Sequence, residues 1–333
     1  MIYLYNEMGE LSNLLLKCNK NENVKLNFKI RFFLKINKKI NKFFKKESKL
    51  KIVLKKILIN LYIKKLKIDD NQKNTFVFFD FSPLCGEILF LNLLKEEHPN
   101  IKLKFWYWNS LLYWEKKCGT QEKYLEVKKI RENLYDEIVT YHHEDSEKNS
   151  YKYINQFYSD EIVKNISESQ YLKNDLYFCG RDKNRIDLVL KVKEKMGELG
   201  ISFKFFLLKD EKKDYSYYEK KEKSSDFLLE KGIKYIDMLK EIKGSKVLLD
   251  IVEKGESGVT LRVVESLFFE KKLITNNKLI KNLEFYNSSN IFIIEDFDNI
   301  EIKKDFFETK YEKVDESIKS RYTLENWINE IEK

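Results

Sequence analysis

The chain has few of the residues that build disulfide frameworks and metal sites. Its four cysteines, Cys18, Cys85, Cys118 and Cys179, lie far apart, with no C-x-x-C pair and no histidine at ligand spacing. This pattern argues against a disulfide scaffold and a structural zinc site, and it favours a reducing compartment. No run of 18 uncharged apolar residues occurs, and the amino terminus lacks the uninterrupted apolar stretch of a secretion signal. We therefore expect neither secretion nor a membrane-spanning helix.

Glycine is also scarce, with ten among 333 residues, and the common phosphate-binding signatures are missing. Neither G-x-G-x-x-G nor G-x-x-x-x-G-K-S/T occurs, so the sequence supports neither an NAD domain nor a P-loop. Yet Gly255 and Gly258 come shortly before a segment with helical spacing. A glycine turn at a helix start lets backbone approach a ligand, and the first-turn amides attract phosphate. The alternative is a mobile loop followed by an ordinary core helix.

The formal net charge of +9 belongs to one part of the chain. From Lys20 to Lys73 there are 18 Lys and Arg against 4 Asp and Glu, and the rest of the chain has 45 against 50. Within this part, KLKIVLKKILINLYIKKLKI repeats apolar residues at intervals of three and four, with lysines between them. The apolar positions are Leu50, Val53, Leu54, Ile57, Leu58, Leu61, Tyr62 and Leu66. We interpret residues 1–73 as a basic amphipathic helical segment.

Such a helix has three uses. It packs on its own domain with the lysines in water, lies on an anionic lipid surface, or binds nucleic acid. The remainder of the chain carries a net negative charge and no recognised nucleic-acid motif, which argues against the third use.

Beyond residue 73, strand-like apolar runs alternate with helical patterns. The first set contains strands at Phe76–Phe81 and Lys102–Trp108, a polar helix around 120–134 and the strand DEIVTY. The second set contains the strands DLYFCG, ISFKFFLL, KVLLDI, KKLITNN and IFIIED. This alternation predicts an α/β fold with parallel sheets and right-handed crossovers. We expect two Rossmann-like domains facing a cleft, 74–165 and 166–315, and a C-terminal helix over 316–333.

Two loops of the second domain combine a strand end with groups that bind phosphate. The first, CGRDKNR, contains Gly180, Arg181, Lys183 and Arg185. The second contains Ser257, Gly258, Val259 and Thr260, in which Thr260 is a candidate helix cap. Ligands bind beyond the carboxyl ends of strands in open parallel sheets. On the following helix, Arg262 and Glu265 are i,i+3 neighbours, and the alternative to ligand contact is that they pair with each other.

The segments YFCGRDKNRIDLVLKVKEKMGELGISFKFFL, SGVTLRVVESLFFEKKLITNN and DEIVTYHHEDSEKNSYKYINQFYS resemble bacterial two-domain (GT-B) glycosyltransferases of lipopolysaccharide and capsule biosynthesis. The resemblance spans residues 74–300. It implies a nucleotide-sugar donor held by the C-terminal domain, a glycan or lipid-linked acceptor held by the N-terminal domain, and catalysis without an obligatory metal or other cofactor. The position of Arg262 and Glu265 beside the glycine turn favours contact of Arg262 with phosphate and of Glu265 with a ribose hydroxyl, and the resemblance implies the second of these contacts as well.

One feature of that family is incomplete in this chain. Glu265 matches the second glutamate of a Glu-x7-Glu motif, but Ser257 stands at the position of the first, and Glu256 lies one residue earlier. The departure leaves open whether the configuration of the sugar is retained or inverted.

Candidates for a general base lie at the strand ends of the first domain. They are Asp80, which ends the first strand, and His142, His143 and Asp145 in HHED. The alternative for HHED is a polar loop. Trp106 and Trp108 end another strand, where they serve either the core or the stacking of a sugar ring. The D-x-D formed by Asp296 and Asp298 comes too late in the chain for a metal-dependent donor site, and we interpret it as a surface turn.

The sequence thus predicts a glycosyltransferase at the cytoplasmic face of the membrane, in peripheral contact with anionic lipid and without a nucleic-acid partner. Two other functions stay open: a nucleotide-sugar epimerase on the same architecture, and a nucleic-acid-binding or scaffold protein that uses the basic segment. The sequence leaves undetermined the donor base and sugar, the acceptor, the linkage and the oligomeric state.

Overall fold

The structure, a computed structural model, describes residues 1–6, 10–26, 39–40, 42–44, 48–80, 87–166, 173–211, 213, 215–221, 226–253, 256 and 258–333. The chain divides into two compact units. The first contains Met1–Ile154 and Ile328–Lys333, and the second contains Asn155–Trp327. Each unit has its own six-stranded sheet.

The first unit alternates strands with helices. Its strands are β1 Ile2–Asn6, β2 Val24–Leu26, β3 Thr75–Phe79, β4 Lys102–Tyr107, β5 Glu137–Thr140 and β6 Lys152–Tyr153. Its helices are α1 Glu10–Lys17, α2 Lys49–Leu66, α3 Glu87–Glu97, α4 Leu111–Cys118, α5 Gln121–Leu134 and α6 His143–Asn149.

The sheet of the first unit has the order β2-β1-β3-β4-β5-β6, and every pairing is parallel. Strand β3 is buried along its whole length, since both faces of a parallel sheet are covered. The core on one face contains stacked rings, with the Tyr3 and Phe76 centroids 4.4 Å apart and the Tyr5 and Phe78 centroids 4.8 Å apart. The predicted strands and parallel pairing are confirmed.

The prediction that residues 1–73 form a separate helical segment is wrong. Strand β1 lies between β2 and β3 in the sheet, with Ile2–Asn6 paired to Thr75–Phe79. Because Ile2, Tyr3, Leu4 and Tyr5 are all buried, this start of the chain is part of the core of the first unit. The high lysine content of residues 1–73 led to a helical prediction for the whole segment, and the short apolar strand at its beginning was therefore missed.

Helix α2 also faces the core differently from the prediction. Its buried residues include Ile59 and Ile63, and Leu58, Tyr62 and Leu66 pack against the same core. Leu50, Val53, Ile57 and Leu61, which the sequence placed in one apolar set with the core-facing residues, are exposed. The helix is apolar on opposite sides, so periodicity alone did not identify the side that the core selects.

The second unit repeats the alternation. Its strands are β7 Asn174–Arg181, β8 Phe203–Leu208, β9 Leu228–Leu229, β10 Ser245–Asp250, β11 Lys272–Thr275 and β12 Ile291–Ile293. Its helices are α7 Asp160–Asn165, α8 Ile186–Leu199, α9 Tyr215–Glu219, α10 Tyr235–Lys243, α11 Leu261–Phe268, α12 Asp305–Glu308, α13 Glu316–Ser320 and α14 Leu324–Glu332, with a 3₁₀ helix at Lys278–Asn282. The end of α14 belongs to the first unit.

The sheet of the second unit has the order β12-β11-β10-β7-β8-β9, again wholly parallel. The chain moves outward through β8 and β9, then returns to pair β10 on the other side of β7. The junction of β7 and β10 is therefore the point at which the winding direction reverses. In folds of this type the crevice for a ligand opens beyond the carboxyl ends of the two strands at this junction.

Two boundaries differ from the prediction. The second unit begins at Asn155 rather than at residue 166, and the predicted helix over 316–333 is two helices, α13 and α14, separated by a turn. Within the described ranges, no helix is both long enough and apolar enough to cross a bilayer.

Candidate functional site

The two strands at the winding reversal of the second unit end in Gly180-Arg181 and in Asp250. Parallel strands place their carboxyl ends at one edge of the sheet. The loop that follows β7 contributes Arg185, and the segment that follows β10 contributes the start of helix α11. The two loops predicted to bind phosphate are therefore neighbours, as the parallel topology requires.

Gly180 lies against the end of the Arg185 side chain. A Cβ at position 180 would lie 2.8 Å from Nη2 of Arg185, which is closer than real Cβ contacts. The Arg185 side chain donates to the carbonyl oxygen of Arg181 through Nε, at 3.1 Å, and to that of Ile251 through Nη1, at 2.5 Å. Arg185 thus joins the ends of β7 and β10. It holds the edge together, whereas the sequence predicted that it binds phosphate directly.

Asp250 is the buried acid of this edge. Its Oδ2 accepts from the Thr275 hydroxyl at 3.2 Å. Burial raises the pKa of Asp250 to about 6, although Arg185, Arg262 and a hydrogen bond from Thr260 act to lower it. A carboxyl group with this pKa changes charge near neutrality. The two arginines that act on its charge, Arg185 and Arg262, are both residues that the sequence assigned to a ligand.

Arg262 and Glu265 form a buried ion pair, with Nη1 and Oε2 2.6 Å apart. Tyr235 donates to Oε1 of Glu265 at 2.6 Å, and its hydroxyl lies 3.0 Å from that of Tyr158. Burial acts to lower the pKa of Arg262, but the adjacent Glu265 carboxylate raises it. The net pKa lies above the usual value of an arginine, so the guanidinium stays charged. Arg262 and Glu265 therefore pair with each other, the alternative that the sequence left open, and the Glu265 carboxylate, 1 % exposed, is engaged by Arg262 and Tyr235.

The start of α11 has the predicted cap. Thr260 has extended backbone, and its side chain accepts from the Val263 amide at 3.3 Å. The carbonyl oxygen of Gly258 accepts from the Asn277 side chain at 3.1 Å, and both Gly258 and Val259 are buried. Ser257, together with Gly255, lies outside the described residues. The capped end of the helix is thus held to β11 through Asn277.

The remaining two cations of the first loop differ in exposure. Lys183 pairs with Glu253, with Nζ and Oε1 2.8 Å apart, and it adopts a positive φ of 41°. Arg181, the last residue of β7, has an exposed side chain. Among the described residues, Arg181 is therefore the arginine of this edge best placed to meet an anion from solvent.

Asp80 lies at the corresponding edge of the first sheet, at the end of β3, with a positive φ of 45°. Its Oδ1 accepts from the Trp108 amide at 3.0 Å and from Nε1 of Trp114 at 3.2 Å, and its Oδ2 accepts from Asn109. Burial raises its pKa against these donors. Asp80 fixes the turn after β4, and it is a poor general base because its oxygens are already engaged.

HHED follows β5 and starts helix α6, and its side chains diverge. The His142 ring is buried, and neither ring nitrogen has a hydrogen-bond partner in the described part of the chain. His143 is exposed, with Nδ1 3.2 Å from Oε1 of Glu147. Asp145 accepts from the Leu111 amide at 2.9 Å, and burial raises its pKa. His143 and Asp145 are thus the two candidates that a solvent molecule can reach.

Of the two roles left open for Trp106 and Trp108, the structure shows core packing rather than a surface for stacking of a sugar ring. Trp106 is fully buried and Trp108 is 8 % exposed. The Phe79 ring packs 6.4 Å from Trp106 and 6.3 Å from Trp108, centroid to centroid. Consecutive residues of β4 from Leu103 to Tyr107 are all buried, so its alternating side chains are core on both sides.

The aspartates of the D-x-D pattern form a turn after β12. Asp296 accepts from the Asp298 amide at 2.8 Å, and Asp298 pairs with Lys191. In the described part of the chain, no three His, Cys, Asp or Glu side chains come together as a metal site requires.

Sequence reasoning missed Asp250, Tyr235 and Arg131. Asp250 was visible as the charged residue near the end of the predicted strand KVLLDI, and its place at the winding reversal was the missing information. Arg131 is buried in the first unit, where its guanidinium lies 3.8 Å from the centroid of the Trp114 ring. Nothing in the polar helix around it distinguished this arginine from a solvated one.

No protein-family model matches the chain, and no curated protein matches it in sequence. Three solved structures illustrate what it resembles in shape. The catalytic domain of starch synthase IV from Arabidopsis thaliana, bound to ADP and acarbose, is 11 % identical, with 83 % of this chain and 72 % of that chain covered and a TM-score of 0.42. AviGT4, a glycosyltransferase of avilamycin A biosynthesis, is 6 % identical over 86 % of this chain and 90 % of that chain, with a TM-score of 0.46.

A putative UDP-N-acetylglucosamine 2-epimerase from Listeria monocytogenes is 10 % identical over 80 % of this chain and 73 % of that chain, with a TM-score of 0.42. With TM-scores below 0.5, these likenesses bear neither on the reaction nor on the residues of this chain.

Proposed function

We propose that the protein is a glycosyltransferase that transfers a sugar from a nucleotide-sugar donor to a glycan or lipid-linked glycan acceptor. The observation that carries this proposal is the edge of the second sheet at the junction of β7 and β10. There Arg181, Arg185 and the capped start of α11 converge with the buried acid Asp250. A sheet edge with cations and helix amides suits a nucleoside diphosphate.

The donor diphosphate would contact Arg181 and the free amides of the first turn of α11. Arg185 would position the two loops, since it already bonds to the carbonyl oxygens that end β7 and follow β10. The buried pair Arg262–Glu265 would fix the orientation of α11 from the buried side of the helix. In this arrangement the positive groups lie where negative charge grows on the leaving nucleoside diphosphate.

The reaction breaks the bond between the anomeric carbon and the phosphate oxygen and forms a bond from that carbon to an acceptor oxygen. The acceptor proton passes to a base if the configuration inverts. His143 and Asp145 would be the candidates for that base, since Asp80 and His142 are enclosed. The proposal involves no metal or other cofactor.

An acceptor of the lipopolysaccharide or capsule type, carried on lipid, would place the enzyme at the cytoplasmic face of the membrane. The resemblance of the sequence segments supports this acceptor class.

A thermal-shift screen against UDP-, GDP-, ADP-, CMP- and dTDP-sugars tests the proposal. One nucleotide class is expected to raise the melting temperature, and the matching donor is then incubated with and without acceptor glycans. Transfer that needs an acceptor supports a glycosyltransferase. Conversion of the donor sugar without any acceptor would instead identify an epimerase, and no stabilisation by any nucleotide would overturn the proposal.

A further inference from the structure

Helix α2 carries a continuous apolar surface that the described residues of its unit leave exposed. Leu50, Val53, Ile57 and Leu61 are 59 %, 49 %, 50 % and 54 % exposed. Their spacing of three, four and four places them along one side of the helix, over a length of about 16 Å. We call these four residues the outward stripe. With Ile52, helix α2 holds five of the nine large apolar side chains that are exposed among the described residues.

The outward stripe is not what fixes the helix in the fold. Ile59 and Ile63, on the opposite side, are buried, and the Tyr62 ring lies 5.9 Å from that of Phe90. The side chain of Ser48 caps the helix by accepting from the Lys51 amide at 3.2 Å. Because the inner side and the cap hold α2, the four outward side chains are available to a partner.

The charged residues along helix α2 have one sign. Seven lysines lie from Lys49 to Lys67, and no Asp or Glu occurs between Glu47 and Asp69. The exposed lysines include Lys49 and Lys56 beside the stripe and Lys64 at its end. A partner must therefore offer negative charge and an apolar layer within a few ångströms of each other.

We propose that the outward stripe of α2 lies in the surface of an anionic lipid bilayer, with Leu50, Val53, Ile57 and Leu61 among the acyl chains and the flanking lysines at the phosphates. A bilayer interface presents both features that the helix demands. Nucleic acid would satisfy the lysines but would leave the aliphatic side chains in water. A second copy of the helix would cover the stripe but would bring the exposed lysines of one helix, among them Lys49, Lys56 and Lys64, close to those of the other. This inference goes beyond the proposed reaction, because it requires no donor or acceptor.

Flotation of the full chain with vesicles tests it in the absence of nucleotide. Vesicles of phosphatidylcholine with roughly one-third phosphatidylglycerol are expected to carry the protein, and pure phosphatidylcholine to carry much less. The double variant Ile57→Asp/Leu61→Asp is expected to lose binding by about tenfold or more. The control is Leu125→Asp, which alters a side chain on α5 with the same exposure of 50 %, and it is expected to bind as the unchanged protein does.

A second variant keeps the test decisive if the aspartates disturb folding. Leu61→Trp places an indole on the stripe, and Leu125→Trp places one on the control helix. Brominated lipid is expected to quench the added fluorescence of the first variant and not of the second. Full binding by the double aspartate variant, or equal quenching of the two tryptophan variants, would overturn the inference. The inference would also be overturned if the unchanged protein did not bind vesicles but formed a dimer that the double aspartate variant could not form.

Discussion

The carboxylate of Glu265 lies 2.6 Å from the guanidinium of Arg262 on the same buried face of helix α11. The two groups were predicted to reach a ligand, and they neutralise each other instead. A buried pair of this kind is costly to form but far more costly to break, because the surviving charge has no solvent. The pair therefore has a structural role beneath the candidate donor site.

Replacement of Arg262 by Met is expected to lower the free energy of unfolding by about 3–5 kcal/mol, because Glu265 is left as a buried carboxylate. The double variant Arg262→Met/Glu265→Leu is expected to lose less than the single variant. Urea denaturation of both measures this. Arg321→Ala breaks an exposed pair with Glu284 and is expected to cost about 0–1 kcal/mol. A stable Arg262→Met protein would show that the pair is dispensable.

Gly180→Ala is expected to destabilise the protein by about 1–3 kcal/mol and to weaken nucleotide binding, because the new Cβ displaces Arg185 from the two strand ends. The matched control is Gly197→Ala in the interior of α8, where nothing lies within 4 Å of the added Cβ. That change is expected to stabilise by about 0.5–1 kcal/mol. Thermal unfolding and titration with the donor compare the two, and equal effects would remove the role given to Gly180.

His142 is expected to make stability fall as the pH falls. Burial lowers its pKa from 6.5 to about 4, so the unfolded chain binds a proton between these values while the folded chain does not. Its contribution is complete above pH 6.5 and is lost towards pH 4. Between pH 7.5 and pH 5 the loss is about 2 kcal/mol.

Urea denaturation at both pH values, compared between the unchanged protein and His142→Gln, isolates this effect from that of other groups. The variant is expected to show a smaller loss. His143→Gln, which changes an exposed ring, is the control and is expected to behave as the unchanged protein. An identical pH dependence in all three proteins would contradict the assignment.

Donor affinity is expected to rise as the pH falls through 6, because Asp250 then loses its negative charge beside Arg185 and Arg262. The sugar nucleotide keeps one charge on each phosphate over this range, so the protein supplies the change. A several-fold gain, up to about tenfold, is expected between pH 7.5 and pH 5.5 by calorimetry. Asp250→Asn is expected to remove the pH dependence, and its persistence in that variant would locate the titrating group elsewhere.

Much of the fold was predictable because apolar runs mark buried parallel strands. TFVFF, KLKFWY and KVLLD are such runs, and each is a strand. The strand at Ile2–Asn6 was missed because the lysines that follow it dominate the composition of the segment. The inner side of α2 was missed because apolar residues occur around the helix, and only the tertiary contact of Ile59 and Ile63 selects a side.

The sequence predicted where in the chain the candidate site lies, but it did not predict which groups its side chains contact. The capping role of Thr260 follows from its residue type before an apolar helix, and it is confirmed. Whether Arg262 meets a ligand or Glu265 depends on burial, which spacing along the chain does not contain. The place of Asp250 beside Arg185 depends on the order of strands in the sheet, which local sequence does not specify either.

The most direct test of the donor site is calorimetric titration of the sugar nucleotide found by the screen into the unchanged protein, Arg181→Ala and Lys246→Ala. Lys246 is the matched control, since it lies on β10 near the amino end of the strand, paired with Asp175. Arg181→Ala is expected to weaken binding by about tenfold or more, as loss of a charge-assisted contact to phosphate predicts, and Lys246→Ala to leave it unchanged. Equal affinity in all three proteins would contradict a donor site at the junction of β7 and β10.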